Sequence, residues 1–335
     1  MSYDYEVVIV GGGSAGLAAA LALGRARRSV LVIDSGTPRN APATHVHNYL
    51  GREGTPPSEL MAIGREEVAT YGGEVAAGTV SSVRPMNSDG AGFLVELTDG
   101  KTVLARRLLV TTGLTDELPD VPGVAERWGR DVLHCPYCHG WEVRDQRIGV
   151  LASGPLSVHQ ALLFRQWSSD VILLLHTAPP PGVIEREQLA ARGITVIEGS
   201  VAGLEVEHDQ LVGARLDSGA LVPLQALVVA PFFRARTEVL EPLGLTTTEM
   251  FVGEQVLATY VESDANGATA VPGVWVAGNV ADPRAQVITA AAGGLTAAAA
   301  INADLVQEDT ALAVARINSR RTAETLVTAG GSTPG

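Results

Sequence analysis

The stretch EVVIVGGGSAGLAAALALGRARRSVLVID at residues 6–34 decides the fold. EVVIV is typical of a buried strand, the glycines after it of a tight turn, and the alanine- and leucine-rich segment to about Arg27 of a helix. SVLVID is typical of a second buried strand that ends at Asp34. Because two parallel strands joined by one helix take about 30 residues, the stretch predicts a βαβ unit.

Three glycines in this unit, Gly11, Gly13 and Gly16, have the spacing G-x-G-x-x-G. The first permits the tight turn, the second lets the backbone approach a pyrophosphate, and the third allows the helix to pack closely on the strand. The helix N-terminus offers amides to the phosphates, and Asp34 can accept hydrogen bonds from a ribose. The unit therefore predicts dinucleotide binding, with a purely structural glycine turn as the alternative.

A second, weaker copy of the unit lies at residues 147–176, where RIGVLAS, a helical stretch and VILLLH follow one another. In its turn, Ala152 and Ser157 replace the first and third glycines, and Pro155 has no amide hydrogen for a phosphate. After the second strand comes His176, with neither an acid for a ribose hydroxyl nor an arginine pair for a 2′-phosphate. We expect this unit to keep its fold and to have impaired nicotinamide-binding chemistry.

The composition bounds the class of protein. The 335 residues include 24 Lys and Arg against 37 Asp and Glu, a net charge of −13. This acidity disfavours nucleic acid or an anionic membrane surface as a partner. Met1 leads directly into a strand pattern without a signal sequence, and no run of about 18–20 apolar residues predicts a membrane span. We therefore expect a cytoplasmic protein with a small-molecule substrate and room for two domains.

The sequence contains two cysteines, Cys135 and Cys138. A structural disulfide framework uses more cysteines, and a structural zinc site usually needs four ligands. His45 and His47 have no third ligand nearby in the sequence, so we expect no metal site. The pair is therefore interpreted as a redox-active dithiol.

Four motifs occur in a fixed order: GGGSAG with Asp34, VTTG ending at Gly113, Cys135-Pro-Tyr-Cys138, and GVWVAGN at 273–279 with Gln286-Val287. Together they resemble the low-molecular-weight thioredoxin reductase family of flavoproteins over nearly the whole chain. The resemblance implies an α/β fold with two Rossmann-like dinucleotide-binding domains in a three-layer, thioredoxin reductase-like arrangement. It also implies FAD as the cofactor and a homodimer.

The domain boundaries and the FAD site follow from the same resemblance. Residues 1–115 and 247–335 would form a discontinuous FAD domain, and 116–246 an inserted NAD(P)-type domain that carries the cysteines. Arg39 and Asn40 would meet FAD, with a solvated turn as the alternative; His47 and Asn48 would do so with loop packing as the alternative. The predicted FAD-binding residues are Gly11, Gly13, Ser14, Ala15, Gly16, Asp34, Ser35, Arg39, Asn40, His47, Asn48, Val80, Thr112, Gly113, Gly278, Asn279, Gln286 and Val287.

The chain departs from the reductase pattern at the cysteines. Thioredoxin reductases have an acidic residue directly after the second cysteine, whereas this chain has His139, and His134 precedes the first cysteine. The string HCPYCHGWE is similar to flavin-dependent dithiol oxidases of the gliotoxin- and holomycin-forming type. That resemblance implies oxidation of a small-molecule dithiol, with electrons passing through FAD to dioxygen. Asn279 replaces the aspartate that reductases usually place on the flavin ribityl chain, and an amide can still accept a hydroxyl hydrogen bond.

The predicted catalytic residues are Cys135, Cys138, His139 and His134. By resemblance Cys138 lies next to the flavin and Cys135 exchanges with the substrate, while a histidine removes the substrate proton. A structural role for each histidine stays open, and Trp141 is predicted to pack in the core at a domain junction, with a substrate platform as the alternative. Two other functions stay open: an NADPH- or ferredoxin-linked disulfide reductase acting on a thioredoxin-like protein, and a flavin-binding redox sensor.

Overall fold

The computed structural model describes residues 3–86 and 92–330, with side chains as far as Arg320, so the Gly/Ser/Pro tail at 331–335 lies outside the described residues. The strands are β1 Tyr5–Val10, β2 Val30–Asp34, β3 Glu74–Ala77, β4 Val80–Pro85, β5 Phe93–Leu97, β6 Thr102–Val110, β7 Leu114–Glu117, β8 Val132–Leu133, β9 Ile148–Leu151, β10 Val171–Leu174, β11 Thr195–Ile197, β12 Val201–Glu207, β13 Gln210–Leu216, β14 Leu221–Pro223, β15 Ala226–Val228, β16 Phe232–Ala235, β17 Thr247–Val252, β18 Gln255–Val261 and β19 Val274–Val276. The helices are α1 Ser14–Arg25, α2 Pro57–Thr70, α3 Val124–Arg127, α4 Pro136–His139, α5 Ser157–Phe164, α6 Val183–Ala191 and α7 Val287–Gly330.

The first βαβ unit lies in a seven-stranded sheet of order β3-β2-β1-β6-β5-β4, in which β19 also pairs with β6. β1 is parallel to both β2 and β6, with Val10 opposite Ile33 and Val110. Val7, Val8 and Ile9 are fully buried, since parallel strands covered on both faces are apolar without alternation. The glycine turn after β1 therefore meets the ends of β2 and β6 at one edge of the sheet.

The second unit forms a five-stranded sheet of order β11-β10-β9-β15-β8, parallel throughout. β8 is its edge strand and ends at Leu133, so the segment with both cysteines leaves from the carboxyl edge of this sheet. An antiparallel sheet of order β12-β13-β14 and a mixed four-stranded sheet of order β17-β18-β16-β7, in which β16 and β18 are parallel, complete the fold. In the four-stranded sheet, Leu114 of β7 lies opposite Ala235 of β16.

Helix α7 runs for 44 residues, from Val287 to Gly330. By length and mean hydropathy, 1.2 in its most apolar window, it passes as a candidate membrane span, which the sequence pattern did not predict. Its first half nevertheless packs into the domain: a Cβ added at Gly294 would lie 2.0 Å from the carbonyl oxygen of Ala15, and Ile301 and Leu305 are fully buried. These contacts identify α7 as a packed helix of the first domain.

The predicted α/β fold with two dinucleotide-type units is confirmed by the parallel strands β3-β2-β1-β6 of the first sheet and the parallel second sheet. The pairing of β19 with β6 brings the N-terminal and C-terminal parts of the chain into one sheet. This pairing supports a discontinuous domain made of residues 1–115 and 247–335 around an insertion at 116–246, and that division remains our proposal.

Candidate active site

A cavity of about 670 Å³ lies between the carboxyl edge of the first sheet and the cysteine-bearing segment. Its volume is that of a cofactor or small-molecule site. Its wall contains the four predicted catalytic residues, Cys135, Cys138, His134 and His139. It also contains the predicted FAD-binding residues Gly11, Gly13, Ser14, Ala15, Asp34, Ser35, Arg39, Asn40, His47, Val80, Thr112, Gly113, Gly278, Asn279, Gln286 and Val287. The other two predicted residues, Gly16 and Asn48, lie outside the wall.

The three motif glycines have different physical roles. A Cβ added to Gly11, which has φ +107°, would lie 2.5 Å from the Thr111 carbonyl oxygen, and one added to Gly16 would lie 2.0 Å from the Gly11 carbonyl oxygen. These two glycines are required for packing. A Cβ added to Gly13 would meet no described atom within 4 Å, and Gly13 faces the cavity. The space beside Gly13 is therefore open to a ligand that approaches the backbone.

The cavity wall fits FAD. The N-terminus of α1 begins at Ser14 and faces the cavity, where its free amides can bind a pyrophosphate. Asp34 accepts a hydrogen bond of 3.0 Å from the Gly12 amide, which holds its carboxylate at the wall. At the other end, Nε2 of His139 is buried and has no hydrogen-bond partner among the described residues. Phosphates would be held at the glycine turn, and the redox-active end would meet the cysteine pair.

Cys135 and Cys138 are free thiols whose Sγ atoms lie 2.6 Å apart. Cys138 donates its S–H to Cys135, and this contact lowers the pKa of Cys135 to about 7 against the opposing effect of burial. The backbone amides of Cys138 and Tyr137 and the charge of Arg39 act in the same direction. The same contact raises the pKa of Cys138, and burial raises it further. Cys135 is therefore the thiolate of the reduced pair near neutral pH.

His134 is held as a neutral imidazole. Its Nδ1 lies 3.0 Å from the Val229 carbonyl oxygen, so Nδ1 carries the hydrogen and donates it. Burial lowers the pKa of His134. Phe233 packs edge-on against the ring, with centroids 5.1 Å apart. These contacts leave Nε2 as the basic nitrogen of a residue in the cavity wall.

His139 is also neutral near pH 7, because burial lowers its pKa. Glu142 partly offsets this effect, whereas His47 adds to it. His47 lies between two carboxylates, with Nδ1 2.6 Å from Glu53 and Nε2 3.4 Å from Glu142. The next residue, Asn48, donates a hydrogen bond of 2.6 Å to the Tyr137 carbonyl oxygen. The loop at 47–53 is thus held against the cysteine segment by contacts of His47 and Asn48.

Arg39 has partners that sequence reasoning missed. Its guanidinium forms two hydrogen bonds with Asp116, of 2.6 and 2.8 Å, and lies 5.0 Å from the centre of the Phe233 ring. It also donates to Oδ1 of Asn279 at 3.3 Å, while the Asn279 amide nitrogen bonds carbonyl oxygens, including that of Ala285 at 2.9 Å. Arg39 and Asn279 therefore shape the wall through protein contacts. Their roles toward FAD stay predictions.

In the turn of the second unit, the Ser157 side chain is hydrogen-bonded to the backbone of Gly154. Ser157 Oγ donates 2.7 Å to the Gly154 carbonyl oxygen and accepts from the Gly154 amide at 3.4 Å. At the end of β10, His176 Nδ1 accepts a hydrogen bond of 3.0 Å from the Val201 amide. The Gly154 backbone and the His176 ring are therefore hydrogen-bonded within the protein, and impaired nicotinamide binding by this unit stays a prediction.

Trp141 was predicted to pack in the core, and this is wrong. Its side chain is 64% exposed, with the Arg144 guanidinium 4.2 Å from the ring centre. Tyr137, between the cysteines, is 57% exposed. The turn after α4 directs Trp141 outward, and a cation stacked on one face keeps an exposed indole partly covered. Two aromatic side chains thus lie at the surface beside the cysteine pair.

Comparison with known proteins agrees with this geometry. The family model described as pyridine nucleotide-disulphide oxidoreductase matches residues 5–294. The crystal structure of HlmI superposes with a TM-score of 0.87 at 45% sequence identity, covering 96% of this chain and 99% of that one.

Curated relatives are similar over different lengths. The thioredoxin reductase sirT of Leptosphaeria maculans is 28% identical over 330 residues, 92% of this chain and 96% of the relative. The thioredoxin reductase tcpT of Claviceps purpurea is 38% identical over 159 residues, 47% of this chain. The aligned part of this chain spans half of tcpT, 50% of its length.

Proposed function

The chain belongs to the pyridine nucleotide-disulphide oxidoreductase family, and we propose that it oxidises a small-molecule dithiol to a disulfide with dioxygen as the electron acceptor. It is a thioredoxin reductase-like oxidoreductase, and FAD is its cofactor. The observation that carries the proposal is the cavity itself, which has an open glycine turn at one end and the cysteine pair flanked by two neutral histidines at the other.

The reaction begins with a proton transfer. A substrate thiol must lose its proton before it attacks a disulfide, because the thiolate is the nucleophile. His139 and His134 can accept that proton, since burial keeps both imidazoles neutral near pH 7. His139 is our first choice, because its buried Nε2 has no hydrogen-bond partner among the described residues.

Thiol-disulfide exchange follows at the oxidised cysteine pair. The substrate thiolate attacks Cys135 Sγ, the bond between the two cysteine sulfurs breaks, and Cys138 leaves and takes up a proton. The second substrate thiol then loses its proton and attacks the first substrate sulfur, expelling Cys135 as a thiolate. Departure is favoured because the Cys138 thiol and two backbone amides stabilise that thiolate. The substrate has lost two electrons and two protons, and the pair is reduced.

FAD, when bound, would supply the two-electron chemistry that returns the pair to the disulfide and reduces dioxygen to hydrogen peroxide. A dithiol is favoured over NADPH as the electron donor because Ser157 bridges the second turn and Pro155 interrupts it. A nicotinamide would find no turn amide at Pro155. The chain's own residues otherwise position the substrate and manage its protons.

A reductase acting on a thioredoxin-like protein is the second candidate. The observation that favours it is the exposed pair Tyr137 and Trp141 beside the cysteines, since exposed aromatic residues are enriched where proteins meet. Several relatives are also named thioredoxin reductases. For that function, electrons would run from a donor to the cysteine pair and on to a protein disulfide.

We also propose a homodimer. Ile288, Leu295, Val306 and Ile317 are between 40% and 55% exposed on α7. Spacings of seven and eleven residues return to the same side of a helix, so the four form one apolar stripe. Such a stripe is of the kind that a second copy covers. Sedimentation of the purified protein, with Leu295→Glu as the variant, tests this proposal.

The enzymatic proposal is tested by oxygen consumption. Purified protein is mixed with a small dithiol in air, and the oxygen electrode trace is compared with that of Cys135→Ser. We expect multiple turnovers, with one disulfide formed per dioxygen consumed. A wild-type protein that turns over once at most would support the sensor function, and one that uses NADPH to reduce a thioredoxin-like protein would support the reductase.

A further inference from the structure

Helix α5 of the second unit has a polar side chain on its buried face. Ser157, Gln160, Ala161 and Phe164 are its buried residues, spaced to lie on one side of the helix. Gln160 is 6% exposed and its Oε1 is buried with no hydrogen-bond partner among the described residues. A buried amide oxygen without a partner is costly, so the neighbours of Gln160 should include a donor.

The neighbour is His134. The Gln160 terminal amide lies 3.5 Å from His134 Nδ1, the same nitrogen that lies 3.0 Å from the Val229 carbonyl oxygen. Nδ1 must carry a hydrogen to approach that carbonyl, and an N–H cannot accept a second hydrogen bond from the Gln160 amide nitrogen. A half-turn of the terminal amide places Oε1 against the Nδ1 hydrogen instead. This orientation provides both the missing donor for Gln160 and a second acceptor for His134.

We propose that Gln160 is a positioning residue that fixes His134 in the Nδ1–H tautomer and so keeps Nε2 free as a base in the cavity wall. Two acceptors on one side of the ring, Val229 and Gln160, oppose the tautomer with hydrogen on Nε2. Phe233 packs edge-on against the imidazole. His134 is thereby oriented by the second unit and presented to the cavity directly before Cys135.

This assignment gives the second unit a role in the chemistry. Its turn is closed by Ser157, but its helix α5 carries Gln160 to the residue that precedes the cysteine pair. The part played by His134 as a base rests on the proposed dithiol oxidation. The tautomer itself does not, because it is a property of the resting protein.

The test uses Gln160→Met, which keeps length and apolar volume and removes the acceptor, with Gln166→Met as the matched control at an exposed position nearby. The purified FAD-bound proteins are labelled with ¹⁵N-histidine, and His134 is assigned among the seven histidines from a His134→Gln spectrum. Wild type and Gln166→Met should show a protonated Nδ1 and an unprotonated Nε2. Because one hydrogen bond of ordinary strength changes such a ratio about fivefold, Gln160→Met should move the His134 signals toward the other tautomer.

Gln160→Glu provides a second variant if the methionine protein does not fold. A carboxylate keeps the acceptor and adds negative charge, so it should retain the Nδ1–H tautomer and raise the pKa of His134. The acidic limb of dithiol oxidation should then move to higher pH, because the base is protonated below its pKa. A His134 spectrum of Gln160→Met identical to wild type, or a pH profile and His134 titration of Gln160→Glu that do not move, would overturn the inference. Failure of dithiol oxidation in the wild type would count against the proposed function and leave the tautomer measurement intact.

Discussion

The two βαβ units share a fold and differ in what fills their turns. In the first, Gly13 lines a cavity of about 670 Å³, and Asp34 stands at the end of the second strand. In the second, Ser157 bonds the Gly154 backbone, and His176 at the end of the corresponding strand is bound to the Val201 amide. The first turn lines the cavity, whereas the second is bridged by hydrogen bonds between Ser157 and Gly154.

The difference indicates that the second unit has a structural role, which is to position the cysteine segment and Gln160. Its sheet places the segment after β8 against the first domain, so that Cys135 and Cys138 enter the cavity wall. Its helix α5 also brings Gln160 to His134. A unit with an incomplete glycine motif can therefore still carry and orient the cysteine pair.

Replacing one glycine in each turn should give the largest difference between the two units, measured as FAD content. Gly13→Val places a branched side chain where the backbone should approach the pyrophosphate, whereas Gly154→Val alters the equivalent glycine of the closed turn. We expect Gly13→Val to purify with at least about tenfold less FAD per chain and Gly154→Val to keep the wild-type content. The ratio of flavin to protein absorbance measures this, and equal flavin loss in both variants would contradict the account.

Replacing each cysteine by serine should give variants with different absorption spectra. Cys135→Ser and Cys138→Ser should both abolish dithiol turnover while keeping FAD. Removing Cys135 also removes the neighbour that raises the pKa of Cys138, so a lone Cys138 thiolate beside the flavin should give a long-wavelength absorption band. Cys138→Ser should lack that band. Absorption spectra and oxygen uptake check both statements, and an active serine variant would remove the exchange mechanism.

His139→Ala should have a smaller effect. The variant should keep FAD and both thiols and slow dithiol oxidation by about 10²-fold, the usual contribution of a general base. The loss should shrink at high pH, where the substrate thiolate forms without a base. Rates across pH for wild type and variant provide the measurement, and a rate equal to wild type at neutral pH would assign His139 a structural role.

The smallest expected effect concerns the reactivity of Cys135. Its pKa of about 7 means that the thiolate is present above that pH and lost below it. In the reduced protein under anaerobic conditions, alkylation of Cys135 should rise roughly tenfold from pH 6 to 8 and level off, whereas an ordinary thiol would still be rising steeply. Peptide mass spectrometry after brief iodoacetamide treatment resolves the two cysteines, and faster labelling of Cys138 would reverse the assignment.

Much of the difference between the two units could be predicted from sequence because it depends on residues close together in the chain. The glycine turns, the cysteine pair and the weakness of the second motif each lie within a few residues, and the structure places most of the predicted residues in one cavity wall. The ion pair of Arg39 with Asp116 could not be predicted, because it depends on how distant segments pack. Gln160 was missed for the same reason, and the prediction for Trp141 was wrong because the local sequence does not reveal which way the turn after α4 directs the side chain.

The most direct test of the central claim is anaerobic stopped-flow reduction of the FAD-bound protein by two donors in parallel. One sample receives a small dithiol and the other NADPH, and flavin bleaching is followed in each before air is admitted. We expect fast bleaching by the dithiol, poor bleaching by NADPH, and return of the yellow colour with oxygen uptake. Rapid bleaching by micromolar NADPH, with no response to the dithiol, would contradict it and establish the second unit as a working nicotinamide site.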